Sequence, residues 1–208
     1  MAKQERAQRT RQAILTAAAE LFDERGYDSA STTDILARAG LTRGALYHHF
    51  PSKEAIALAL LDAHVDALQV EEQPVKLQSL IDLTFRFAQR LQHDPALRAS
   101  VRLSVEQSSF TAFQTGYEQS IEVIRSLLRQ AMDQGEMLPG LDIEEATLFI
   151  VGAYTGVQTM DQAYSGRADL LDRIGSFWRF ILPGLATPGL ISRLRTTAPA
   201  GAPRPSSD

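Results

Sequence analysis

The sequence predicts an all-α protein: a short N-terminal helix-turn-helix unit followed by a larger helical body. Apolar residues recur every three or four positions through most of its 208 residues, the period of an amphipathic helix. No stretch alternates convincingly with the period of two that a strand requires, and no internal repeat is present. Helix-starting residues such as Ser31, Thr42, Ser52 and Asp142, and helix-stopping glycines such as Gly26, Gly40 and Gly135, punctuate these runs at the positions where caps belong.

The first helix spans about 5–25, because Ile14, Ala17, Ala18, Leu21 and Phe22 share one face and Gly26 follows at the C′ position. Ser31 caps a second, short helix with Asp34 three residues on, and Ile35, Leu36 and Ala39 form its apolar side before Gly40 stops it. Thr42 caps a third helix, Arg43 to Phe50, in which Leu46 and Phe50 point inward, leaving Arg43, Tyr47 and His48 outside. Two short helices, a glycine turn and a basic, aromatic outer face make a helix-turn-helix whose second helix would enter the major groove of DNA. A fourth helix, about 53–69, starts after Ser52 with Ile56, Leu60, Ala63 and Ala67 on one face, and connects this unit to the body.

The Glu71-Glu72-Gln73-Pro74 interruption marks the domain boundary. A strong amphipathic helix follows from Leu77 to His93, and Asp94-Pro95 opens another that carries Leu97, Val101 and Val105. The stretch 107–116 reads as a turn. A further helix runs from Tyr117 to Gly135. Asp142 and Glu145 frame a capping box for a helix reaching about Ala163, on which Gly152 and Gly156 leave a strip of small residues. The last helix, about Arg167 to Leu182, is broken by Pro183 and Pro188. The domains are therefore 1–54, with the connecting helix to 69, then 70–195, then an Ala/Pro/Ser tail over 196–208 whose composition predicts disorder.

A hydrophobic content of 44% is sufficient for a packed core. The absence of cysteine excludes disulfides, thiolate nucleophiles and Cys-ligated zinc, and suits a reducing cytoplasm. No run approaches the roughly 18 apolar residues of a membrane span. The net charge of −4 is unevenly placed: residues 1–54 carry 8 basic against 7 acidic side chains, the remainder 13 against 18. Lys3, Arg6, Arg9 and Arg11 form a positive arm suited to a localised phosphate contact, or to a solvated terminus.

Residues 19–61 resemble the N-terminal domain of the TetR (tetracycline-repressor-type) family. The likeness rests on Leu21-Phe22, Gly26-Tyr27, Thr32-Thr33-x-Ile35, the run from Ala39 to Phe50, and Ser52-Lys53-Glu54. The body is similar to one subgroup, the γ-butyrolactone receptors and pseudo-receptors. Its matches are Glu72-Gln73-Pro74, Val101-Arg102-Leu103-Ser104, Gly135-Glu136-Met137-Leu138-Pro139, Val151-Gly152, Gly156-Val157-Gln158 and Ile181-Leu182-Pro183-Gly184.

The resemblance implies that residues at these motif positions touch operator DNA. Arg43, at the leading end of the recognition helix, is suited to O6 and N7 of a guanine. Gly44 and Ala45 allow close approach, and Ala45 can meet a thymine methyl. Thr42, which caps the helix, belongs to the same set. Tyr47 and Lys53 would anchor phosphates, as would Thr32 and Thr33 from the start of the preceding helix. His48 would touch backbone or base, while His49 packs. The adjacent histidines point about 100° apart on a helix, so they cannot readily share a metal ion, and no metal or cofactor is expected.

Further implications are a homodimer on a palindromic, double-stranded operator, assembled through the last two long helices as a four-helix bundle, and a small lipophilic effector in the body that releases the DNA. Those helix faces could instead only complete the core of one subunit. Candidate ligand-lining residues are Phe85, Val105, Phe110, Phe113, Tyr117, Thr155, Gln158 and Thr159, each of which core packing would also explain. The butyrolactone receptors usually carry a tryptophan near the start of the helix that here begins at Tyr117. This chain has its one tryptophan at Trp178 instead, in core or dimer packing, so a butenolide, a furan or an antibiotic is an equal candidate for the effector. Two other classes remain open. An all-helical enzyme would need a nucleophile with its base or paired carboxylates, and the sequence offers no HExxH, phosphate loop or G-x-S-x-G. A regulator answering to a protein partner would have a fully packed body.

Overall fold

In the computed structural model the described residues are 2–106 and 114–199. They contain helices α1 (Ala2–Arg25), α2 (Thr32–Ala39), α3 (Arg43–His49), α4 (Lys53–Leu60), α5 (Asp62–Ala67), α6 (Lys76–His93), α7 (Pro95–Glu106), α8 (Thr115–Asp133), α9 (Ile143–Ser165), α10 (Leu170–Leu185) and α11 (Pro188–Ile191). There is no strand among the described residues; one isolated bridge pairs Met137 with Ala186. Among the described residues no helix is long and apolar enough to cross a membrane. The described residues form two compact units, the first within 1–67 and 94–116, the second within 68–93 and 117–208.

In the first unit, Ile14, Ala18, Leu21 and Phe22 of α1 bury themselves with Ile35, Leu46, Phe50 and Ile56. Helix α7 belongs to this unit and closes the core with Ala99 and Leu103. Two arginines fasten it to the end of α1: Arg98 Nε lies 2.6 Å from Asp23 Oδ2, and Arg102 donates to the Asp23 carbonyl at 2.6 Å. Gly26 turns the chain there with φ of 80°, and a Cβ on it would stand 3.1 Å from the Arg102 guanidinium. The left-handed backbone favours glycine, and a Cβ there would also make the end of the Arg102 side chain give way slightly.

The single connecting helix expected over 53–69 is two. At Leu61 the ladder tightens: the Leu61 amide donates to Leu58 and the His64 amide to Leu61, at 3.1 and 3.0 Å. These three-residue steps rotate the following turn. The buried line therefore runs through Leu60, Leu61, His64 and Ala67, with His64 where the sequence pattern placed Ala63. Burial pushes the His64 imidazole down from 6.5 to about 4, so it is neutral in the fold at pH 7. Because the unfolded chain takes up that proton first, stability present above pH 6.5 is lost as pH falls towards about 4. The span corresponds to about 3 kcal/mol. Urea denaturation at pH 7 and pH 4.5 should show this acid loss in the wild type and a clearly smaller one in His64→Leu; equal losses would contradict the assignment.

In the second unit, Leu77, Leu80, Ile81, Phe85, Ala88 and Leu91 of α6 are buried, as are Ile174, Phe177, Trp178 and Leu182 of α10. Thr84 joins three helices: its hydroxyl accepts from Trp178 Nε1 at 2.8 Å and donates to the Ile81 carbonyl, and its own carbonyl accepts from the Tyr154 hydroxyl. Of the two readings open for Trp178, the structure gives the core.

Glu136, from the loop after α8, reaches the start of α6, where its two carboxylate oxygens accept from the Lys76 and Leu77 amides at 2.8 Å each. The chain after α11 is fastened too. Arg195 pairs with buried Asp82 at 2.9 and 3.1 Å, and its backbone exchanges hydrogen bonds with the Gln78 amide. The Thr196 carbonyl packs so close to Gly175 that a Cβ there would meet it at 2.8 Å.

Pro183 does not end the last long helix; α10 continues to Leu185. A proline costs the bond to the carbonyl four residues back, here that of Arg179. Both residues are on the exposed side, so the lost bond falls on the solvent face, while Leu182 and Leu185 on the other side are buried. Its start is also later than expected, because Gly166 and Arg167 take left-handed φ of 62° and 73° and make a turn before Leu170.

Candidate nucleic-acid interface

The two short helices are held by local chemistry. The Ser31 hydroxyl accepts from the Asp34 amide at 3.1 Å while the Asp34 carboxylate accepts from the Ser31 amide at 3.0 Å, a complete capping box. The Ser31 bonds hold the Asp34 carboxyl below its ordinary value. Gly40 closes α2 at φ of 65°, and the Thr42 hydroxyl then caps α3 by accepting from the Ala45 amide at 3.4 Å. Helix α2 is pinned to α1 by a two-pronged pair, Arg38 to Glu24, with both contacts at 2.8 Å. Ile35 of α2 and Leu46 of α3 are fully buried, so the angle of the pair is set from beneath.

This leaves Thr42, Arg43, Gly44, Tyr47 and His48 exposed, with Ala45 half-buried beside them. The Arg43 guanidinium lies over the Tyr47 ring at 5.6 Å, one turn on, which steadies the long side chain without occupying its N–H groups. Gly44 presents open space, so a duplex can approach the backbone closely. Thr32 is half-buried and Thr33 exposed at the start of α2. His49, half-buried, makes an edge contact with His48. Arg6, Arg9 and Arg11 are exposed along α1, and Arg11 also lies 5.1 Å over the Phe50 ring at the end of α3. Sequence reasoning placed that arm but not its contact with the recognition helix, which no local pattern encodes.

Lys53 is engaged internally. Its ammonium donates to the carbonyls of Tyr27 and Ala30 at 2.9 and 3.0 Å and sits 4.1 Å from the Tyr27 ring. Two of its three donors are thus used to tie the loop before α2 to α4, leaving one for a phosphate.

The residues singled out for a ligand fall in several places. Phe110 and Phe113 lie outside the described residues. Val105 is in the first unit and 41% exposed. Phe85 is in the core of the second unit. Half-buried Tyr117 of α8 meets half-buried Thr155 of α9, while Gln158, three residues on from Thr155, is buried and Thr159 is exposed. A hydrogen bond from Thr155 acts on the Tyr117 hydroxyl, whose ionisation burial nevertheless pushes upward. Gln158 donates to the Thr159 hydroxyl at 3.3 Å, and its own side-chain oxygen is buried without a partner.

Comparison with known proteins accounts for both units. Residues 14–60 match the family described as bacterial regulatory proteins, tetR family, and residues 75–187 the tetracyclin repressor-like C-terminal domain. The A-factor receptor protein of Streptomyces griseus is 40% identical over 195 residues, covering 94% of this chain and 70% of that one. The crystal structure of TylP, a TetR regulator from Streptomyces fradiae, superposes with a TM-score of 0.80 at 40% identity, over 92% of this chain and 93% of that one. A crystal structure of a γ-butyrolactone receptor, an ArpA-like protein, gives a TM-score of 0.78 at 29% identity, over 90% and 94%. The chain belongs to the TetR family of DNA-binding transcriptional regulators, as a relative of the γ-butyrolactone receptors, and α2 with α3 is its helix-turn-helix.

Proposed function

We propose that the protein is a homodimeric repressor that binds a palindromic operator through two copies of α3 and leaves it when a small lipophilic ligand occupies the second unit. The exposed face of Thr42, Arg43, Gly44, Tyr47 and His48, fixed from beneath by buried Leu46, is the observation that carries the DNA reading. Arg43 reads a base. Tyr47, Thr32 and Thr33, with the remaining donor of Lys53, hold phosphates and so set register.

Dimerisation is supported by the outer side of α9 and α10. Leu148, Phe149 and Met160 are exposed there, Tyr164 is 82% exposed and Phe180 87%. Exposed Gly152 and Gly156 leave room for another helix among them. Beside Phe149 and Phe180 an apolar groove of about 440 Å³ lies between the two helices. Apolar side chains so arranged are a surface waiting for a partner, and two copies would make a four-helix bundle.

The ligand reading rests on the Tyr117, Thr155 and Gln158 group and on kinship with the receptors. An unpartnered buried carbonyl oxygen at Gln158 calls for a donor, which a hydroxyl on an otherwise apolar molecule would supply. Ligand affinity must differ between the DNA-bound and released forms for this to work. The chain passes between the units at 67/68, 93/94 and 116/117, and only Asp94 separates α6 from α7, so a shift of α6 reaches the first unit through the backbone.

A gel-shift titration on DNA from the promoter region of its own gene, with and without an organic extract of the source culture, tests both halves. Extract-sensitive binding to a palindrome is expected. Extract-insensitive binding would favour a protein partner, and no specific binding would overturn the DNA reading. In the same assay Arg43→Ala should cost about 1–3 kcal/mol on the operator and relax preference at one base position. An unchanged preference would remove Arg43 from base reading.

A further inference from the structure

Asp161 lies on α9 in the seam with α10. Its side chain is 1% exposed, and neither carboxylate oxygen has a hydrogen-bond partner. Its backbone carbonyl accepts from the Arg167 amide at 3.3 Å and from the Ser165 hydroxyl at 3.2 Å. The nearest cation, Arg173 Nε on α10, stands 3.8 Å away on a side chain that is 62% exposed, beyond hydrogen-bonding distance. A carboxylate removed from water without donors costs several kcal/mol, and a native fold carries such a group only where something completes it.

What completes it must come through the opening above. Asp161 and Arg173 line a groove of about 210 Å³ with Val157, Met160 and Tyr164. Met160 and the strongly exposed Tyr164 belong to the same outer side of α9 and α10 that carries Phe149 and Phe180. That side therefore has an aromatic projection near each end, Tyr164 and Phe180, and a groove beside each. A surface holding both projections and hollows can be complementary to itself, as a two-fold interface demands. A free cationic ligand fits less well, because Arg173 already holds a positive charge at the mouth.

We propose that the second copy of this chain closes the Asp161 groove in the homodimer and supplies the hydrogen-bond donor that the buried carboxylate lacks. The inference rests on the homodimer reading given above. Asp161 is then an interface-specifying residue: the apolar side chains provide the area, and the carboxylate admits only an arrangement that delivers a donor to it. The same groove is incomplete in a single copy.

Sedimentation equilibrium on the full chain tests this with Asp161→Ala, Asp161→Asn and Arg173→Ala. Asp161→Ala should weaken the dimer at least about tenfold, since the donor brought by the second copy is left buried and unpaired. Asp161→Asn, which keeps the size and one acceptor, should lie between it and the wild type, and it carries the test if the alanine variant does not fold. Arg173→Ala should weaken the dimer less than Asp161→Ala does. Wild-type dimerisation in both Asp161 variants would overturn the proposal, as would an Arg173→Ala loss equal to that of Asp161→Ala, which would show the carboxylate serving its own chain's arginine. A wild type that is monomeric throughout would instead overturn the homodimer reading itself.

Discussion

Phe180→Glu should leave each chain folded, make it monomeric, and lower operator affinity by about a hundredfold or more. At 87% exposure the Phe180 side chain supports little of its own unit, so a charge there costs the single chain almost nothing. In the bundle it would place an unpaired carboxylate against the apolar groove near Ile181 and Leu185, and burying such a charge is costly. The effect on DNA follows from geometry: one helix-turn-helix reads one half-site, and the gain from linking two readers is of the order of 10²–10⁴. Sedimentation equilibrium and gel shifts on whole and half operators would measure both. A Phe180→Glu protein that still sediments as a dimer, or binds the whole operator as tightly as the wild type, would place the interface elsewhere.

The second large effect concerns Glu136. Its carboxylate accepts from two amides at the start of α6, at 2.8 Å each, where the helix leaves donors free and its dipole favours negative charge. In the same loop the Glu136 carbonyl accepts from the Thr187 amide, and the Leu138 amide donates to the Leu185 carbonyl. Removing the side chain strands the buried Leu77 N–H and the partly buried Lys76 N–H. Hydrogen bonds to a charged group contribute about 1.5–3 kcal/mol each, and with partial relaxation Glu136→Ala should cost about 3 kcal/mol of stability. Glu136→Gln, retaining a single acceptor, should cost about half as much. Urea midpoints with unchanged slopes would report this directly. A loss below about 1 kcal/mol would mean that water replaces the carboxylate without penalty.

These residues show which parts of the molecule the sequence discloses. The helix-turn-helix was legible because its determinants lie within a few residues of their effects: Ser31 with Asp34, Gly40, and Thr42 with Ala45. Long amphipathic helices such as α6 and α8 were legible for the same reason. What escaped depends on contacts distant in sequence. Glu136 caps a helix 60 residues before it. Leu61 breaks the connecting helix because burying His64 in the first unit outweighs a continuous ladder. Pro183 reads as a stop, yet the burial of Leu182 and Leu185 carries α10 past it. Lys53, placed by resemblance on a phosphate, spends two donors on Tyr27 and Ala30. Asp161 reads as one more polar residue near the end of a helix, and only burial shows its carboxylate to be without a partner.

Trp178, held against Thr84 at the centre of the second unit, has an experimental use. As the one indole in the chain, fully buried and hydrogen-bonded, it is a native fluorophore with a single environment. Its emission should be blue-shifted and poorly quenched by iodide. Denaturation followed at this wavelength reports the second unit alone, while circular dichroism averages both. The protein thus carries its own label for learning whether the proposed effector tightens the second unit, without a dye or a substitution.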